Sequence, residues 1–209
     1  MSKTKKSTLT AVVALAVVLL AAGTILLVSQ AVRTQVQSSL ETLLAHTYPT
    51  PKDSFPNVSQ TTLTDVQKEI VRLSKQEYQK KPVSFDSNVL KYSQGYKEPW
   101  CANFASWIMK NAGVPFSNPN SGSWRIPGVS TLQEYFQQED RYQIAGSYQP
   151  QVGDVAIFKQ NRSHANIVIA ANGSKMTTVG GNENGHVRIN TQAYTHGAQG
   201  LSGFGMLAR

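Results

Sequence analysis

A single cysteine, Cys101, is all that this chain of 209 residues contains. One thiol cannot close an internal disulfide, so the cross-linked framework of small secreted domains is excluded. Charge is sparse too, at 15% Asp, Glu, Lys and Arg, and from residue 61 onward there is no block of basic residues and no basic stretch interleaved with aromatics. Nucleic-acid binding therefore finds no support, although the formal net charge is +8. Basic residues scattered in this way suit attraction to an anionic cell envelope. The HExxH pattern and any Cys/His cluster are missing, so neither a metal nor another cofactor is expected. Internal repeats and low-complexity tracts are absent as well.

What is present begins with a membrane signal. Lys3, Lys5 and Lys6 precede an uncharged, mostly apolar run from Leu9 to Val32. Some twenty helical residues span roughly 30 Å, enough to cross a bilayer. The competing reading is a secretory signal peptide cleaved after Ser29-Gln30-Ala31, but the run is long for a signal core. The lysines remain on the cytoplasmic side and the rest of the chain is exported. Residues 1–32 are thus read as a basic tail and transmembrane anchor, and 33–60 as an extracytoplasmic stalk and linker. Val32, Val36, Leu40, Leu43 and Leu44 share one helical stripe, which leaves a stalk dimer open. Three prolines between residues 48 and 60 mark a spacer.

Residues 61–209 are expected to form one α+β domain. Thr64-x-x-Gln67 is a capping box, followed by helical spacing at Val66, Ile70 and Leu73. A second helix opens near Pro99 and closes at Gly113, and a third covers 129–138. Beyond residue 150 short apolar runs alternate with turn signals such as Asn172-Gly173 and the Asn182–Gly185 stretch. Helices first and antiparallel strands afterwards give the α+β class.

The second helix carries its apolar stripe on Cys101, Phe104, Ala105, Ile108 and Ala112. Cys101 stands at the helix start, where free N–H groups and the helix dipole favour a thiolate and can hold an oxyanion. A cysteine nucleophile needs a base, normally histidine. His46 falls in the stalk, and His186 and His196 lie in or beside turns and read as surface residues. His164 stands where a strand leaves a loop. A buried structural cysteine and a satisfied structural histidine remain the alternative reading of this pair. Glu98 is expected to face solvent, and Asp154 to mark a turn. Tyr96, Trp100 and Trp124 are candidates either for a substrate groove or for the core.

The segments EPWCANFASWIMKNAG, QPQVGDVAIF and SHANIVIAANGSKMTTVGGNENGHVRI resemble a CHAP domain, the cysteine- and histidine-dependent amidohydrolase/peptidase family of the papain-like superfamily. The likeness runs from about residue 64 to 209. It implies a papain-like fold with N-terminal helices on an antiparallel sheet, and cleavage of an amide bond in peptidoglycan by an amidase or endopeptidase. It implies Cys101 as nucleophile, His164 as general base and Asn182 as the group that orients the imidazole. Peptidoglycan stem peptides or cross-bridges would be the substrate, at the cell surface. A non-catalytic wall-binding module and an acyl-transferring enzyme are the alternatives. Two positions depart from the family pattern: Asn166 replaces the usual glycine of the histidine strand, and Gly180 stands where some relatives carry an acid. The triad is then expected to end in Asn182, unless the neighbouring Glu183 substitutes.

This assignment carries a register requirement. A two-residue Asn172-Gly173 turn would turn Asn182 away from His164. A three-residue loop pairing Ala171 with Lys175, or a bulge of equal effect, sets His164 opposite Asn182.

Overall fold

The computed structural model describes residues 29–36, 39, 54–160 and 162–208. The chain divides into two compact units, Met1–Pro49 and Thr50–Arg209. In the first, only residues 29–36 and 39 are described, and they are helical. Most of the expected membrane span and stalk lies outside the described residues. Among the described residues, no helix is long and apolar enough to cross a membrane.

In the second unit the helices precede most of the sheet, in the order that the patterning predicts. Helix α1 (Asp65–Gln79) starts at Thr64, whose hydroxyl accepts from the Gln67 N–H while the Gln67 side chain accepts from the Thr64 N–H. That reciprocal cap satisfies two N–H groups left free at any helix start. A single turn, α2 (Ser87–Leu90), is capped by Asp86. Helix α3 (Cys101–Asn111) buries eight of its eleven residues, and α4 (Val129–Gln138) buries Val129, Leu132, Tyr135 and Phe136. Upstream of α1, Phe55, Val58 and Leu63 pack against the same core.

Six strands form one antiparallel sheet: β1 (Tyr142–Ile144), β2 (Val155–Phe158), β3 (His164–Asn172), β4 (Lys175–Glu183), β5 (His186–Ala193) and β6 (Leu201–Gly205). Their spatial order is β1-β6-β2-β3-β4-β5. The short strand β1 and the single-turn α2 carry too little periodicity to be read from sequence. Side chains alternate between two faces. Val155, Ile157, Ala165 and Ile167 join the helical core, whereas Ala156, Phe158, Val168 and Phe204 form a smaller apolar cluster with Met176 and Leu201.

Helix α3 lies against the centre of the sheet. Trp100 and Phe104 are buried there with Tyr92, whose ring stacks on Trp100 and meets Phe104 edge-on. Strand β4 approaches so closely that a Cβ at Gly181 would collide with Trp100 and Phe104. A residue without a side chain is what lets the start of α3 meet the end of β4.

The β3–β4 connection is a two-residue loop, Gly173-Ser174, with Asn172 paired to Lys175 and Ala171 to Met176. Gly173 has φ 58°, the left-handed conformation a primed hairpin turn needs at its first position. The three-residue loop does not form. A bulge between Val168 and Ala170 adds the extra residue instead, and beyond it Val168 pairs with Thr178 and Ile167 with Val179. Up to Ile167 and Val179, where the β3–β4 ladder ends, this is the register the sequence reading required, reached by the bulge rather than by the loop.

Candidate active site

Cys101 is the first residue of α3 and is 4% exposed. His164 is the first residue of β3, pairs with Phe158 across the ladder and is equally buried. Fold and sequence position thus bring together two residues 63 apart in the chain. Burial pushes the Cys101 thiol up, but His164, through hydrogen bonding and charge, and the N–H groups of Ala165 and Ala102 more than offset this. The net result is a thiol pKa below its ordinary value. For His164 burial acts downward, yet the thiol and Glu183 outweigh it and raise the imidazole to about 9. The two shifts both act in favour of a thiolate–imidazolium pair, lowering the thiol and raising the imidazole.

The partner of the imidazole is Glu183, not Asn182. Glu183 Oε1 lies 3.0 Å from His164 Nε2. The oxygen sits off the ring N–H direction, and hydrogen bonding and charge both couple the two groups. The same Oε1 accepts hydrogen bonds from Asn166 Nδ2 and Asn190 Nδ2, each at 3.0 Å, and Oε2 accepts from Arg162 Nη1 at 3.1 Å. Burial raises the Glu183 pKa, but His164, Asn166 and Arg162 together hold it at about 2. The carboxylate is therefore charged wherever the protein is folded at ordinary pH.

The replacement of Asn182 by Glu183 has a geometric cause. Strand β4 pairs with β5 at Gly180–Arg188 and again at Glu183–His186, with a bulge between. Asn182 sits in that bulge with φ 59°, a left-handed conformation that asparagine tolerates better than most residues. One extra residue reverses the alternation of faces. Glu183 therefore takes the place that regular alternation after Gly180 would have assigned to Asn182. Immediately afterwards Asn184 and Gly185, with φ 49° and 79°, form the two-residue turn into β5. That turn is readable as an Asn-Gly signal; the bulge before it is not.

The other expectations resolve individually. Glu98 does not simply face solvent: it accepts from Asn103 Nδ2 at 2.9 Å and is paired with Arg125, which compensates its charge. Asp154 is structural, accepting from Tyr148 Oη, the Gln151 N–H and the Leu207 N–H. Trp100 belongs to the core and donates its indole N–H to Ser84 Oγ. Tyr96 is exposed, and Trp124 is half-buried beneath Lys110. His186, expected at the surface, is buried with Nδ1 3.1 Å from the Pro82 carbonyl. It is held there by the isolated bridge between Val83 and His186. His196 is exposed beside Gln160, and His46 lies outside the described residues.

Residues 91–182 match the CHAP domain family model. No curated protein matches the chain. Among solved structures, the chain is similar to Ly7917 with the hydrolysing product of MDP, at 18% identity and TM-score 0.33. That alignment covers 50% of this chain and 52% of the other. A second structure of Ly7917 aligns at 14% identity and TM-score 0.39, covering 69% of this chain and 62% of that one. The chain thus spans about half to three-fifths of the length of those chains.

Proposed function

We propose, from the premise that residues 91–182 are a CHAP domain, that this protein is a cell-surface cysteine hydrolase that cleaves an amide bond in peptidoglycan. The observation that carries the reading is the grouping of Cys101 at a helix start with the buried His164, whose Nε2 lies 3.0 Å from the Glu183 carboxylate. Peptidoglycan as substrate rests on the family, whose members act as wall amidases or endopeptidases.

The Cys101 thiolate attacks the amide carbonyl carbon, and the electron pair of the C=O moves to oxygen. N–H groups at the start of α3 stabilise this oxyanion, since the first turn of a helix has no internal acceptor for them. Nε2 of His164 faces Glu183, which leaves Nδ1 for proton transfer at the sulfur side. The imidazolium protonates the leaving amine and the C–N bond breaks, leaving a thioester. His164, now neutral, takes a proton from water as it attacks the thioester, and the thiolate is released. Glu183 keeps the ring in place and balances its positive charge during the first step. Asn182 has no part in this scheme.

The lysines and apolar run at the N-terminus support an anchor that places the domain outside the cell. The direct test is incubation of the purified full-length protein with peptidoglycan sacculi, followed by mass spectrometry of the released fragments. New amine and carboxyl ends at one amide position are expected. Intact sacculi after incubation would leave a wall-binding protein without turnover, and fragments joined to an added amine would identify a transferase.

A further inference from the structure

We infer that Asn166 is a positioning residue: its buried carboxamide, in space opened by the missing side chain of Gly180, holds the Glu183 carboxylate against His164. This rests on the proposed roles of His164 and Glu183. Asn166 lies on β3 two residues after His164 and is fully buried. Its Nδ2 donates to Glu183 Oε1 at 3.0 Å and to Thr178 Oγ1 at 3.2 Å. A Cβ at position 180 would fall within the Asn166 carboxamide, so any other residue there would displace it. The Asn166 Oδ1 is buried without a hydrogen-bond partner. A buried carboxamide with one end unsatisfied is a net cost for packing alone. The donor end therefore accounts for its presence.

The two departures from the family pattern are thus one feature. A glycine at 180 and an asparagine at 166 create an amide donor beside the histidine strand. The bulge at Asn182 then delivers an acid to that donor from position 183. Without the Asn166 donor, Glu183 Oε1 would keep one amide donor, Asn190 Nδ2, in place of two, and Oε2 would keep the half-exposed Arg162. A carboxylate that loses its donor on the β3 side shifts toward the guanidinium and water, because a buried charge with fewer hydrogen bonds is costly. The imidazolium then loses one of its two anionic partners, and its pKa falls.

The test is a side-chain NMR titration of His164 in the full-length protein, assigned by loss of its signal in His164→Ala. Asn166→Leu keeps approximate shape and removes the donor. The His164 midpoint is expected near 9 in the parent protein and at least about one pH unit lower in Asn166→Leu, the size expected from losing a close ionic partner. A folded Asn166→Leu variant with an unchanged or higher midpoint would overturn the inference. If that variant does not fold, Asn166→Gly combined with Gly180→Ala refills the space from the opposite strand. A purely packing role predicts that this pair restores the parent midpoint; the positioning role predicts that the midpoint stays low. Because the titration needs no substrate, a lowered midpoint in a protein that fails to cut peptidoglycan would refute the proposed function and leave this inference standing.

Discussion

Glu183 Oε1 lies 3.0 Å from His164 Nε2 although the residues are separated by a whole hairpin. The contact depends on a single bulged residue, Asn182. It makes the acid, rather than the amide before it, the partner of the imidazole.

Exchanging the acid separates the two residues. Glu183→Gln should lower kcat on sacculi by roughly ten- to a hundredfold, the range expected when charge support for a catalytic imidazolium is lost. Asn182→Gly should retain most activity, since glycine adopts φ 59° freely. Asn182→Ala should destabilise the fold by about 1 kcal/mol through left-handed strain, read from chemical denaturation. A larger loss of kcat in Asn182→Gly than in Glu183→Gln would reverse the assignment.

The thiol should be unusually reactive. Cys101 is expected to react with iodoacetamide at neutral pH faster than a cysteine in an unstructured peptide, because His164 and two backbone N–H groups stabilise the thiolate. Slow labelling that becomes fast only on denaturation would identify an inert structural cysteine. Cys101→Ala and His164→Ala should each abolish hydrolysis, and EDTA should leave the parent rate unchanged, since the proposed nucleophile is a thiolate.

The pH dependence has a defined sign. His164 is raised to about 9 in the folded protein, so the imidazolium is present below that value and is lost as pH rises through it. The kcat/KM profile should therefore fall on its basic side near pH 9, and Glu183→Gln should move that limb downward. Glu183 is depressed to about 2 from 4.5. Its contribution to stability is full above its ordinary value and is lost as pH falls toward 2, a trend that urea titrations below pH 4.5 would read out. A basic limb unchanged in Glu183→Gln would show that the carboxylate does not act on the imidazole.

Packing at the site should be equally sensitive. Gly181→Ala places a methyl group against Trp100 and Phe104. It should cost about 1–3 kcal/mol, the usual range for an overpacked core, and lower activity by moving β4 away from α3. Unaltered stability would show that the strand has room to shift.

Localisation follows from the N-terminal pattern. Full-length protein should remain in the membrane fraction after a high-salt wash, with residues from 33 onward open to external protease. A mature N-terminus at Val32 would show instead that the segment is a cleaved signal.

The sequence was sufficient for those features that local chemistry controls. The Thr64 cap, the apolar stripe ending in Cys101 and the short β-like runs after residue 150 each report on their own backbone through periodicity and turn residues. They therefore placed three helices, five strands and the two ends of a Cys–His pair. Strand parity is different, because it depends on how many residues each strand inserts before it meets its partner. The bulge between Val168 and Ala170 and the bulge at Asn182 are chosen by ladders with neighbouring strands and by the fit of Gly181 under Trp100 and Phe104. Asn182 and Glu183 are adjacent in the chain and both suited to an imidazole N–H. Only the assembled sheet, by placing one extra residue in β4, decided which of them faces His164.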